Sequence, residues 1–128
     1  MPARAVPGHD LTYRIIGLAM RVHRALGPGL LESVYERCLA HELAKAAIPH
    51  ARQVALPVIY DGVELSRGYV ADIIVADAVI LEIKAVETIF PLHEAQLLTY
   101  LHLSGCPIAL LINFNTTNLT DGIRRRVL

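Results

Sequence analysis

Apolar side chains recur at Leu11, Ile15, Leu18, Val22 and Leu26 behind Asp10, a good N-cap residue, and this spacing predicts a helix over 11–26. Gly27-Pro28-Gly29 must end it. A second helix is predicted over 30–47, turning Leu31, Val34, Cys38, Leu39 and Leu43 inward until Ile48-Pro49 stops it. At Gln53 the period changes to two. Val54, Leu56, Val58 and Tyr60 alternate with other residues over 53–60, and the turn pair Asp61-Gly62 signals a hairpin. The returning strand is predicted over 63–76 with a bulge at Gly68, then a tight turn at Asp77 and a third strand over 79–86. Leu92, Ala95, Leu98 and Leu101 restore helical spacing over 92–103, which Gly105 and Pro107 end. The apolar run 107–114 reads as a central strand buried on both faces. The expected class is α/β, in the order ααβββαβ, with a tail from Asp121 that the pattern leaves unassigned. Neither a repeat nor a linker interrupts the chain, so one domain is expected over 10–128 behind a loose terminus over 1–9.

Three charges sit against this pattern. Asp72 interrupts the core strand Val70-Ala71-Asp72-Ile73-Ile74-Val75, and Glu82 and Lys84 interrupt Val79-Ile80-Leu81-Glu82-Ile83-Lys84-Ala85. Residues two apart on a strand share a face, so Glu82 and Lys84 are neighbours, and a tight turn near Asp77 would bring Asp72 close to both. A purely structural ion cluster is the plain alternative, but such clusters rarely stabilise more than apolar packing does. Oxygen ligands gathered on strands suit a hard cation, Mg2+ or Mn2+, which needs only one or two protein carboxylates beside water and substrate phosphate. A lysine beside them can orient or deprotonate the attacking water. Glu32 with Tyr35 and Gln96 with Tyr100 form co-facial helical pairs at spacings of three and four. Taken alone, each pair reads as ordinary surface and packing.

Composition narrows the classes. With 128 residues, 54% hydrophobic and 19% charged, most of the chain should be ordered. No apolar run approaches the roughly 18 residues that span a bilayer, and MPARAVPGHD lacks a secretory signal, so the expected location is cytoplasmic with no membrane partner. Cys38 and Cys106 are expected to be reduced and buried. Twelve basic against twelve acidic residues give no global attraction to nucleic acid, and the cluster Arg124-Arg125-Arg126 reads as a solvated tail. His41-Glu42 and His93-Glu94 lack the second histidine of a zinc protease, Gly27-x-Gly29 follows a helix where a dinucleotide loop follows a strand, and no serine lies in a nucleophile elbow.

Gly29-Leu30-Leu31-Glu32-Ser33-Val34-Tyr35 matches the signature of the GxxExxY proteins, a group of the PD-(D/E)XK nuclease superfamily. The resemblance extends through Asp72, Glu82-Ile83-Lys84, the stretch from His93 to Leu101 and Leu110 to Phe114. It implies a restriction-endonuclease-like mixed sheet flanked by helices. It implies Asp72 and Glu82 as metal ligands, completed by the Ile83 carbonyl and Glu32, with Lys84 as the catalytic lysine. Gln96 and Tyr100 resemble the Q-xxx-Y element of the RecB-like branch, which braces the site, and Tyr35, Tyr100 and His93 are the candidate substrate-positioning residues. Ala71 stands where many members carry proline, which leaves the metal site intact. The expected activity is metal-dependent hydrolysis of phosphodiester bonds, with DNA as the expected partner and a homodimer as the expected assembly. The competing readings are a nucleic-acid- or protein-binding module that keeps the fold without efficient cleavage, and a purely structural oligomerisation domain.

Overall fold

The computed structural model describes residues 9–128, so the expected loose terminus lies, for residues 1–8, outside the described residues. Helix α1, His9–Leu26, carries Asp10 in its first turn, where a carboxylate meets the positive end of the helix dipole. Its inward face is Ile15, Ala19 and Val22. Gly27 ends it in the left-handed region at φ 68°, and Gly29 follows at φ 101°. Few residues other than glycine accept two such turns so close together. Helix α2, Glu32–Lys45, then buries Tyr35, Leu39, Ala40 and Leu43.

Tyr35 fixes how these helices meet. Its ring is fully enclosed and stacks on Phe114 with centroids 4.5 Å apart. Its hydroxyl donates to the Gly27 carbonyl at 2.5 Å and accepts from the Leu30 N–H at 3.1 Å. One side chain thus satisfies a donor and an acceptor of the α1–α2 turn from inside the core. A residue this enclosed cannot touch a substrate, so the substrate contact expected for Tyr35 is corrected to a structural role.

Five strands form one sheet in the order β1-β2-β3-β4-β5: His50–Tyr60, Val63–Val75, Val79–Lys84, Ile108–Asn113 and Ile123–Val127. All neighbours are antiparallel except β3 and β4, which helix α3, Pro91–Ser104, connects as a crossover. The sheet is therefore mixed and flanked by helices, as expected. Asp61 and Gly62 are both left-handed, at φ 52° and 74°, which is the backbone a tight hairpin needs. The register between β1 and β2 shifts after Leu56↔Tyr69 and resumes at Val58↔Leu65, so the bulge expected at Gly68 is present.

Two expectations change. The unassigned tail supplies β5, and Arg124 and Arg126 both reach Glu94 of α3, Arg126 at 2.6 Å, so the arginine cluster belongs to a strand and is not a solvated tail. On α3 the buried face is Leu97 and Leu101, whereas Leu92 and Leu98 are exposed. Leu97 and Leu101 are four apart, one helical turn, which is the spacing that faces a sheet.

The core has two layers. One packs α1 and α2 on Ile73, Val75, Leu81, Ile83, Leu110 and Ile112. The other packs α3 on Leu56, Ala71, Ile80, Ala109 and Leu111. Ala71 and Ile73 are two residues apart on β2 yet lie in opposite layers, so the strand changes face at Asp72. Directly across in the β1–β2 register, Gln53 is left-handed at φ 51°, and β1 changes face there too: Arg52 reaches α2 while Val54 packs toward α3. The residues at Ile73 and Val75 therefore serve one layer, and those at Ala71 and Tyr69, in the same alternation, serve the other.

Replacing Tyr35 by phenylalanine keeps the stacked ring but strands the Gly27 carbonyl and Leu30 N–H. Urea unfolding of Tyr35→Phe is expected to show a loss of about 1–3 kcal/mol; a midpoint equal to wild type would remove the turn-locking role.

Candidate active site

The ladder between β2 and β3 runs only from Val75↔Val79 to Ile73↔Leu81. Beyond it the Ile83 N–H donates to Asp72 Oδ2 at 2.7 Å, so a carboxylate takes the place of a backbone carbonyl and the two strands part around it. Ile83 presents its N–H and its carbonyl on the same edge of the strand, which aims that carbonyl toward Asp72 as well. Glu82 is buried, and its Oε1 is out of contact with solvent and has no hydrogen-bond partner. A buried carboxylate oxygen left this way is costly unless something else completes it.

Burial raises the Asp72 carboxyl to about 6, against the lowering pull of the Ile83 N–H, with Glu36, Glu32 and Lys84 acting at longer range. Burial and the nearby Asp72 charge push Glu82 up to about 8, although Lys84 and the Asp72 backbone N–H pull the other way. The Asp72 charge therefore lies close enough to Glu82 to oppose its ionisation. Tyr100 on α3 feels the same charges. Burial first, then Glu82 and Asp72, hold its phenol at about 12, so it remains a hydrogen-bond donor. Tyr69 meets the Tyr100 ring edge-on at 5.3 Å and fixes its position.

Helix α2 closes the other side. Glu32 begins it, and Glu32 Oε1 accepts the Ala85 N–H just after β3 at 3.3 Å. One turn on, buried Glu36 accepts from Arg52 and Gln53. Glu32, Ser33, Glu36, Arg52, Gln53 and Asp72 line a cleft of 340 Å³ whose floor is Ile83. Lys84 is half-buried beyond β3's last paired carboxylate, and its carbonyl accepts from the Phe114 N–H at 2.9 Å.

Asp72, Glu82, Ile83, Lys84 and Glu32 are thus brought together at the parted ends of β2 and β3, and Tyr100 joins them from α3. Gln96 is half-buried one turn before Tyr100 on the same helix. His93 acts locally, its Nδ1 accepting the Phe90 N–H at 3.0 Å to cap α3. Two participants escape sequence reasoning. Glu36 looks like an ordinary helical surface residue four from Glu32, and only the fold reveals its burial. Asn113, buried at the end of β4, clamps the chain after β3 by bonding Val86 N–H and Val86 carbonyl at 3.0 and 2.8 Å. A polar residue closing an otherwise apolar run was its signal.

A hard divalent cation fits this donor set. The orphaned Glu82 oxygen, the second oxygen of Asp72 and a backbone carbonyl are all hard ligands. Among the described residues no three of His, Cys, Asp and Glu gather into a group that could hold a metal ion. Among those residues, too, no helix is long and apolar enough to cross a membrane.

Compared with known proteins, the chain gives no match to a curated protein or to a solved structure. A family model, that of the PD-(D/E)XK nuclease superfamily, matches residues 9–126, from the start of α1 into β5. With a mixed sheet flanked by helices and acidic residues at the parted strands, the chain belongs to the PD-(D/E)XK nuclease superfamily.

Proposed function

We propose that this protein is a metal-dependent nuclease that hydrolyses phosphodiester bonds of nucleic acid, with DNA as the expected substrate and Mg2+ or Mn2+ as the ion. The observation that carries this reading is the buried, unpartnered Glu82 oxygen close to Asp72, a carboxylate that itself lines a cleft. Structure alone gives no reason to bury two neighbouring carboxylates, and strongly perturbed carboxyls beside a cleft mark functional sites. Asp72 and Glu82 would hold the ion, with the Ile83 carbonyl completing the set and Glu32 acting directly or through water. When bound, the ion offsets charge on the scissile phosphate.

The remaining work falls to the chain's own groups. Lys84, on the strand that carries Glu82, orients the attacking water and adds positive charge where the transition state gains negative charge. Tyr100 offers a phenolic proton toward the carboxylates or the phosphate, and Gln96 on the same helix face helps to orient the cluster. The stretch from Gly29 to Tyr35 and the Gln96/Tyr100 pair support the narrower placement among GxxExxY proteins of the RecB-like branch. A cytoplasmic location belongs to the same reading.

Lys84→Ala and Asp72→Asn should each fold and each cut metal-dependent cleavage of labelled nucleic acid by at least about a hundredfold. Cleavage retained by a folded Asp72→Asn, Glu82→Gln double variant would end the proposal.

Protonation supplies a separate test. Unfolded carboxyls titrate near about 4, whereas the folded ones titrate at about 6 and about 8. The folded protein therefore binds more protons across this window, and without metal its stability should be highest below it and fall as pH rises to about 8. A cation prefers the ionised pair, so manganese should raise the melting temperature clearly at about pH 8 and little at about pH 5. Equal stabilisation at both would show that manganese binds elsewhere.

The reading also includes a homodimer, supported by Ile59, Tyr60, Val63 and Leu65, which stand exposed toward the tip of the β1–β2 hairpin. Light scattering should give a mass above 14.1 kDa; that monomer mass at every working concentration would exclude the dimer.

A further inference from the structure

Arg52 is the one cationic side chain among the described residues that line the cleft beside Asp72. Its environment is unusual for an arginine paired with a carboxylate. Such pairs prefer two parallel bonds to two oxygens. Here both donors, Nε at 3.2 Å and Nη2 at 2.6 Å, go to Glu36 Oε2, because Gln53 Nε2 already occupies Oε1 at 2.7 Å. Gln53 can do this only because of its left-handed backbone, which turns it toward α2 on the same side as Arg52 and against the alternation of the strand. L residues rarely adopt that conformation. Two consequences follow. Both oxygens of Glu36 are engaged by hydrogen bonds, and Arg52 keeps the rest of its guanidinium uncommitted, on a side chain that is 40% exposed.

We propose that Arg52 binds a nucleic-acid phosphate in this cleft, next to the one under attack at Asp72 and Glu82, with Glu36 and Gln53 as its positioning residues. This rests on the nuclease reading above. Guanidinium geometry matches phosphate oxygens, and a pre-oriented fork loses little freedom on binding. The cleft otherwise presents Glu32, Glu36 and Asp72, so a polyanion entering it needs a cation on the β1 side to balance the one held by the carboxylates. The same pair viewed as a mere tie between α2 and β1 would explain the Glu36 bonds but not why both fall on one oxygen of Glu36 while Gln53 takes the other.

The test uses the full chain in a Lys84→Ala background, which slows cleavage, with manganese present. Fluorescence anisotropy follows binding of labelled DNA and RNA oligonucleotides over a range of salt concentrations. Arg52→Ala should weaken binding about tenfold or more and reduce the slope of log Kd against log salt by about one. Arg52→Lys should restore the slope while recovering only part of the affinity. Because Arg52→Ala leaves Glu36 buried without its cation and can impair folding, the variant Glu36→Gln, Arg52→Ala removes that carboxylate too. It should fold, bind manganese with the affinity of the parent by calorimetry, and still show the reduced slope. A folded double variant with the parent's affinity and slope would overturn the assignment of Arg52, even if the wild-type protein cleaves nucleic acid in a Lys84-dependent way. A parent protein that binds no oligonucleotide, together with a wild type that cleaves none, would overturn the nuclease reading and this inference with it.

Discussion

The β1–β2 hairpin has to serve two hydrophobic layers at once, and the site is built at the point where it switches between them. Below Asp72, Ile73 and Val75 turn toward α1 and α2; above it, the same alternation turns Ala71 and Tyr69 toward α3. A strand alternates strictly, so the switch requires a local break in the ladder. On β1 the break is the left-handed Gln53, and on β2 it is Asp72, where pairing to β3 also ends. A break in a ladder frees backbone groups that must find partners. The Ile83 N–H finds the Asp72 carboxylate, and that single bond places a charged group between layers, within reach of α2 on one side and α3 on the other.

Once Asp72 is there, the electrostatics follow from geometry. Glu82 lies on the next strand with its side chain buried, so burial raises both carboxyls above their ordinary range and the Asp72 charge raises Glu82 further. Lys84 acts on both, and burial still outweighs it as the first cause of each shift. Burying two carboxyls in this way costs stability whenever they ionise, which sets the cluster apart from ordinary core packing. The parts that hold it are rigid: the parallel pair β3–β4, the Asn113 clamp after β3 and the Tyr69–Tyr100 contact. Groups set on such elements keep their positions more closely than groups on loops.

Much of this was legible in the amino-acid sequence because the relevant signals are local. The change of period near Gln53 and the Asp61-Gly62 turn each depend on a few neighbouring residues and correspond to elements of the structure, and the charges inside apolar runs fall on β2 and β3. What was not legible depends on residues far apart in sequence. Periodicity cannot show that Ala71 and Ile73, both apolar, face opposite ways, because the reversal is set by packing against two different helices. It cannot show that Glu36 is buried, since its partners Arg52 and Gln53 lie on a strand. The strand β5 was hidden by its arginines, which look solvated until Glu94 of α3 is placed opposite them. The helix face of α3 was misplaced for a related reason: leucines at Leu92, Leu97, Leu98 and Leu101 allow more than one stripe, and the sheet chooses.

The spacing from Gly29 through Glu32 to Tyr35 acquires a mechanical meaning in this light. Gly29 permits the left-handed turn that reverses the chain after α1. Tyr35, one turn into α2, reaches back to hold both sides of that turn and stacks on Phe114 at the end of the sheet's central strand pair. With its two ends fixed to the turn and to the sheet, the first turn of α2 has no freedom to slide, and Glu32 on that turn is set against the Ala85 N–H beyond Lys84. Glu36 follows on the same face, four residues on, where it meets Arg52 and Gln53 at the switch point. Each residue of the signature therefore acts at a different distance from the chemistry: glycine shapes the turn, tyrosine locks it, and glutamate is what the lock positions. The carboxylates on β2 and β3 are placed by strand pairing and its interruption, and those on α2 by this turn, so the cleft is assembled where two independent local constraints converge.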